Sequence, residues 1–387
     1  MTEHEQRVTP LELFFDLVLV FAITQVTALM SADATWEGVG RGMLILAALW
    51  WAWTKYAWLT NALEPEEGLA RIAMFAAMGA MLVVGLAVPE AFDAHGVVFG
   101  IAYFAVRALN VALFALAWRR DPDLAGDVLS MAPSALAGPS LLLAAGFVDG
   151  RLQAVLWIAA ITVDLTAALI GHGRGLRISP AHFAERHGLI VIIALGESIV
   201  SIGIGAGGAP LGPGVTAAAL LGIALIAALW WAYFDIQAVW GRRRLTELRG
   251  AARTRLARDF YSYLHLPMVA GIVLFALGVK KTLEHVGDPL ATVPAVALYG
   301  GLSLYFFSHV AFRLRIVLAG SLEERAQLGL FGRGRPAATI ILLALMPVAL
   351  EVPALASLAL ATACCCALIV YDVVHYREER VEVRQAR

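Results

Sequence analysis

Long apolar runs recur along the whole chain, and no other feature limits its fold so tightly. Each extends for roughly 18 to 25 residues, which at about 1.5 Å per residue crosses a hydrocarbon core of about 30 Å as an α-helix. Within lipid every backbone N–H and C=O must be satisfied inside the structure, so a helix is the form such a run takes. Punctuation by Gly, Pro and charge divides the runs into about twelve helices, near residues 11–30, 41–60, 70–89, 97–118, 128–148, 153–171, 187–205, 215–240, 260–279, 295–317, 337–351 and 353–375. The fifth and eleventh contain prolines, in "MAPSALAGPS" and "LMPVALEVPAL", that suit a kinked or re-entrant segment as well as a full span. The fold class expected is therefore all-α and integral to the membrane.

Composition agrees. With 60% hydrophobic and 15% charged residues and a mean hydropathy of +0.77, the chain has no stretch left for a soluble domain. A net charge of -1 says nothing of partners when charges are sorted by side of a membrane. Expected partners are the lipid bilayer and a small ion or solute, not nucleic acid, with self-association left open. The first run is followed by the small residues "SADA", yet Glu3, Glu5, Glu12 and Asp16 replace the basic leader and clean apolar core of a signal peptide, so it is expected to stay as a helix. Cys364, Cys365 and Cys366 are consecutive; on a helix they fan about 100° apart and cannot converge on one ion.

Basic residues set the orientation. Even-numbered loops and the tails hold Arg7, Arg71, Arg119, Arg120, Arg174, Arg177, Arg186, the run from Arg242 to Arg258, Arg325, Arg333 and Arg335. Odd-numbered connections hold only Arg41, Arg151, Lys280 and Lys281, so the positive-inside bias places both termini in the cytoplasm of a bacterial cell, at its inner membrane. The charged stretch "GRRRLTELRGAARTRLAR" is expected to be a loop beside headgroups, and "GIGAGGAPLGPG" near residue 203 an outer loop, not a dinucleotide fingerprint.

The halves resemble one another. "ALWWAW" at 48–53 returns as "ALWWAY" at 228–233, and "LVLVFAITQ" from Leu17 matches "LIVIIALGE" from Leu189, setting Gln25 opposite Glu197. Two paired signals in consecutive helices point to duplication of a six-helix unit: residues 1–172, then 173–375, with a cytoplasmic tail over 376–387. An even number of helices gives the repeats one orientation, making them parallel repeats.

On "ELFFDLVLVFAIT" from Glu12, "HFAERHGLIVIIALGESIV" from His182, "WWAYFD" from Trp230 and "YSYLHLPMVAGIVL" from Tyr261, the chain resembles the bacterial low temperature requirement A (LtrA) family over nearly its whole length. The resemblance implies a multi-spanning bacterial membrane protein and assigns no activity to individual residues. More remotely, "FFDLVLVFAIT" is similar to the first helix of endosomal and lysosomal potassium/proton channels. It departs from them in having Phe15 for a serine and in lacking a clear second copy of the aspartate motif in the seventh helix.

An ionisable group in hydrocarbon costs roughly 2.5 to 3.5 kcal/mol on insertion scales, so each needs a partner, a wet cavity or a function. Glu197, near the centre of the seventh helix among Gly196, Ser198 and Ser201, is the first candidate for a titrating group on an ion or proton path, followed by Asp16 and His309; Gln25 is its repeat mate. Asp164 and Arg107, the latter with Asn110, lie mid-helix and are expected to form a buried ion pair on that path. Glu12, one turn before Asp16, belongs at the cytoplasmic rim with Glu185, Arg186, His187 and Asp235, the carboxylates stabilised by the helix dipole and by loop arginines. Glu185 and Arg186 are expected to bridge to loop charges, and Asp372 to find a cavity or a loop arginine. Trp50, Trp51, Trp230 and Trp231 either pack or line the path. In "HFAERH", His182 and Glu185 share a face but His187 points about 160° away from Glu185, unlike a helical zinc site, so no metal is expected. No cofactor motif is visible either. The expected function is a channel or transporter for protons, cations or a small solute; the rivals are an enzyme acting on lipid at the rim and a membrane sensor or scaffold.

Overall fold

The computed structural model describes residues 7–120, 125–170, 178–207, 210–319 and 334–377. Arg174, Arg177, Arg325, Arg333 and the tail from residue 378 lie outside the described residues. The fold is all-α, with twelve helices and no strand among the described residues. They are α1 (Pro10–Ala32), α2 (Trp36–Leu59), α3 (Gly68–Glu90, ending in a 3₁₀ turn at Pro89), α4 (Gly96–Arg120), α5 (Ala125–Ala145), α6 (Gly150–Ile170), α7 (Pro180–Gly207), α8 (Pro213–Glu247), α9 (Gly250–Glu284), α10 (Thr292–Ala319), α11 (Gly334–Leu345) and α12 (Ala354–His375). Among the described residues, nine of these are long and apolar enough to cross a membrane: all but α2, α5 and α11. In α2 the length suffices, but Lys55 and five tryptophans dilute its hydropathy. The other two are the proline-bearing segments expected from sequence, with shorter apolar stretches at Ala135–Ala145 and Gly334–Leu350.

Two expected loops are helical. The arginine-rich stretch after Trp240 continues α8 to Glu247 and opens α9 at Gly250, because Arg, Leu, Ala and Glu are all good helix formers and no proline intervenes. Only a short break separates them, where Gly250 takes a φ of +53° that a side chain would resist. Likewise α7 runs on to Gly207. Both α8 and α9 contain a π-helical segment, at Tyr233–Gln237 and Ala257–Leu264. Such widened turns shift the register of the side chains that follow and recur at functional sites.

The chain divides into two compact units. The first holds α1 to α6, the first two turns of α7 as far as His187, and Leu245–Ala257; the second holds Gly188–Arg244 and the chain from Arg258 onward, together with Ala34–Trp36. In the first unit α3 packs on α1 and α4, and α5 on α4 and α6. In the second α9 packs on α10, α10 on α11, and α12 on α8 and α11. The α9–α10 contact is close because small residues face each other: a Cβ on Gly271 would lie 2.5 Å from the Gly301 carbonyl oxygen.

Candidate functional site

The densest set of buried charges is in the first unit. Thr9 caps α1 by accepting from the Glu12 amide, and the Thr9 amide donates back to Glu12 Oε2 at 2.9 Å, a capping box that anchors Glu12 at the helix entrance. One turn on, about 6 Å deeper, comes Asp16. The first turns of α7 present His182 and Arg186 with the same four-residue spacing, and α2 contributes Trp53 and Thr60. Glu12, Asp16, His182, Arg186 and Trp53 have no measurable exposure.

Arg186 joins the two carboxylates, Nη1 donating to Glu12 Oε1 at 2.6 Å and Nη2 to Asp16 Oδ1 at 2.7 Å. Nη1 also reaches Thr60 Oγ1 at 3.3 Å. His182 Nε2 lies 3.0 and 3.1 Å from the oxygens of Glu12, so this nitrogen carries the proton and donates. The Trp53 indole N–H donates to Asp16 Oδ1 at 2.7 Å, and the guanidinium of Arg186 sits 5.7 Å from its ring centre. Two basic atoms remain without a hydrogen-bond partner among the described residues, Asp16 Oδ2 and His182 Nδ1. Apart from the imidazole, the network sets two carboxylates against one guanidinium, an imbalance of one.

The rim set thus separates. Glu12, Asp16 and Arg186 come together, whereas Glu185 is exposed. The expectation that Arg186 would bridge to loop charges is corrected: it faces the helix carboxylates, since four-residue spacing turns it to the same side as His182. His182, read beside Glu185, is held by Glu12. His187 is buried among rings, 5.0 Å from Trp53 and 4.6 Å from Phe183, with its Nδ1–H donating to the Phe183 carbonyl at 2.8 Å.

The mid-helix pair of α4 and α6 is formed, and bidentate: Arg107 Nη1 to Asp164 Oδ2 at 2.7 Å and Nη2 to Oδ1 at 3.0 Å, with Tyr103 Oη 3.2 Å from Nη1. Gly138 of α5 lets that helix approach, since a Cβ there would lie 2.9 Å from the Asp164 carboxylate.

In the second unit Glu197 is buried and accepts from Ser201 Oγ, one turn along its own helix, at 2.9 Å. His309 is buried, its Nδ1–H donating to the Tyr305 carbonyl at 2.9 Å. His265 donates to the Phe260 carbonyl and accepts from the Tyr233 hydroxyl at 2.8 Å, a bond joining the two π-helical regions. Arg335 pairs with Asp372 at 3.0 Å and donates to the Ala232 carbonyl. Asp235 and Gln25 are half-buried. Trp50 and Trp51 are buried, while their counterparts Trp230 and Trp231 are 45% and 38% exposed, so the paired motifs face different surroundings.

Reading by sequence missed His182 as the partner of Glu12, Trp53 as a donor, and the Tyr233–His265 bond. The matched four-residue spacings of Glu12/Asp16 and His182/Arg186 were a usable signal for the first.

Apolar helices of membrane-crossing length, with charges turned inward onto one another, give the chain the character of a multi-spanning membrane protein. Residues 7–370 match the family described as Bacterial low temperature requirement A protein (LtrA), and the chain belongs to that family. It is 32% identical over 287 residues to the uncharacterized protein RA0937 of Rhizobium meliloti (strain 1021), covering 71% of this chain and 69% of that one. No solved structure matches it.

Proposed function

We propose that this protein moves protons across the bacterial inner membrane, with both termini cytoplasmic, by way of the Glu12–Asp16–His182–Arg186 network. The charge count carries the reading. Two carboxylates against one guanidinium leave one negative charge unmatched in a site with no measurable exposure, and a single proton cancels it. Two bare basic atoms, Asp16 Oδ2 and His182 Nδ1, are there to receive it. Glu197, in the second unit, is a further buried carboxyl group, bonded to Ser201. A lipid-modifying enzyme at the rim finds less support, because Glu12, Asp16 and His187 are fully buried and Arg186 already holds both carboxylates.

The same proposal takes the protein as two parallel six-helix repeats. Tyr103 of α4 donates to the Ala48 carbonyl of α2, and Tyr305 of α10 to the Leu229 carbonyl of α8, within the repeated "ALWW" motif. Four residues beyond each tyrosine stands a buried basic side chain, Arg107 and His309. Corresponding bonds between corresponding helices, one residue apart in the motif, support duplication followed by divergence of the charge.

The test is proton flux into proteoliposomes loaded with a pH-sensitive dye and driven by a potassium diffusion potential. Wild type is expected to exceed empty vesicles, Asp16→Asn to lose most of that flux, and His187→Ala to keep it. Wild-type flux equal to empty vesicles, or undiminished flux in both Asp16→Asn and Glu197→Gln, overturns the reading.

A further inference from the structure

The buried charges of α4 and α6 are unbalanced in the opposite sense. Arg107 is neutralised by Asp164, but Lys55 of α2 shares their surroundings and interacts electrostatically with both. Lys55 is half-buried, its ammonium 5.2 Å from the centre of the Trp51 ring, and no carboxylate lies within 4 Å of it among the described residues. Two cations therefore share one anion, a surplus of one positive charge on helices packed in a membrane protein.

The spare hydrogen-bonding atoms have the matching polarity. Arg107 Nε and Asn110 Nδ2, on residues 1% and 3% exposed, have no partner among the described residues, and both are donors. Arg107 and Asn110 lie three apart on one face of α4, toward α2, as the bonds from Tyr103 to the Ala48 carbonyl and from Tyr56 to the Val106 carbonyl establish. Lys55 adds a positive charge from α2. Unused donors and one surplus positive charge call for an acceptor of single negative charge.

We propose that Lys55, Arg107 and Asn110 form a binding site for a small monovalent anion between α2 and α4. Asp164 holds the Arg107 guanidinium flat and fixes where its Nε points, so it is a positioning residue whose own charge opposes the ligand. The site does not depend on the proton reading, and its test requires no transport.

Iodide is the probe: radioiodide is equilibrated by dialysis against the full-length protein in detergent, in a gluconate buffer of constant ionic strength. Wild type is expected to bind one iodide per chain saturably. Lys55→Met should weaken binding about tenfold or more, and Lys55→Arg, which keeps the charge, should stay within a few-fold of wild type. Asn110→Leu should fall between them. Asp164→Asn should bind more tightly, because removing the carboxylate raises the positive surplus, whereas a purely structural aspartate predicts weaker binding or none. Each variant is first checked for a single elution peak; should Lys55→Met not fold, the Asn110→Leu and Asp164→Asn pair decides. Absence of saturable iodide binding to wild type, or wild-type affinity in Lys55→Met, overturns the proposal.

Discussion

Deleting one half of the Arg107–Asp164 pair should cost far more than deleting both. Their oxygens and nitrogens meet at 2.7 and 3.0 Å with 1% and 3% exposure, which sets the charge centres about 4 Å apart. At an effective dielectric constant near 20 that separation is worth about 4 kcal/mol, consistent with the roughly 3–5 kcal/mol cost of removing one partner of a buried pair. Asp164→Leu strands the guanidinium with Tyr103 Oη as its remaining bonded neighbour. Arg107→Met strands the carboxylate, but Lys55 interacts with it and softens the loss. The order expected is therefore wild type, then Arg107→Met, then Asp164→Leu as the least stable, with both singles beyond about 2 kcal/mol. The double variant removes both members of the pair, leaves Lys55 as the same single surplus charge as in wild type, and should return to within about 1 kcal/mol of wild type, or above it. Reversible unfolding by sodium dodecyl sulfate in mixed micelles, followed by far-ultraviolet circular dichroism, gives the four free energies of the cycle. Additive losses, or single variants each costing under about 1 kcal/mol, would refute the buried-pair account.

Two further outcomes follow from close geometry. Gly271→Leu places a Cβ 2.5 Å from the Gly301 carbonyl oxygen and must part α9 from α10, an overpacking cost of about 1–3 kcal/mol or more in the same unfolding assay. Trp53→Phe keeps the ring but removes the N–H bonded to Asp16 at 2.7 Å, a charge-assisted hydrogen bond worth about 1.5–3 kcal/mol; unfolding unchanged within about 0.5 kcal/mol would show that it contributes nothing.

How far the sequence discloses this protein depends on which force sets each feature. Burial in lipid acts on run length, so the helices could be counted from apolar stretches and punctuation. The Arg107–Asp164 pair was legible for the same reason: opposite charges mid-helix have nowhere else to go. Charge does not distinguish a loop from a helix beyond the membrane, so the arginine-rich continuation of α8 and α9 was read as a loop. Tyr233 and His265 meet across π-helical segments, whose altered register defeats any count at 3.6 residues per turn. Lys55 lies four residues before the end of α2, where a lysine normally snorkels to headgroups, and nothing in the sequence sets it apart. Its role emerges only when α2 and α4 are placed together. Glu12 and His182, 170 residues apart, are intermediate: their spacings match, but only the fold pairs the helices.

The two charge clusters of the first unit carry opposite imbalances, and this ties a proton to an anion. Unloaded, the Glu12 network holds one surplus negative charge and the Lys55 cluster one surplus positive charge. Loading either alone leaves the unit's interior charged; loading both restores neutrality. A proton on the network should therefore favour an anion at Lys55, and by linkage the anion should favour the proton to the same extent. Iodide affinity measured by dialysis is accordingly expected to rise as pH falls and the network takes up its proton. Asp16→Asn discharges the network permanently, since Glu12 and Arg186 then balance. It should bind iodide at the higher affinity throughout and lose the pH dependence. An iodide affinity independent of pH in wild type, with Asp16→Asn no tighter, would show that the two clusters titrate and bind without reference to each other.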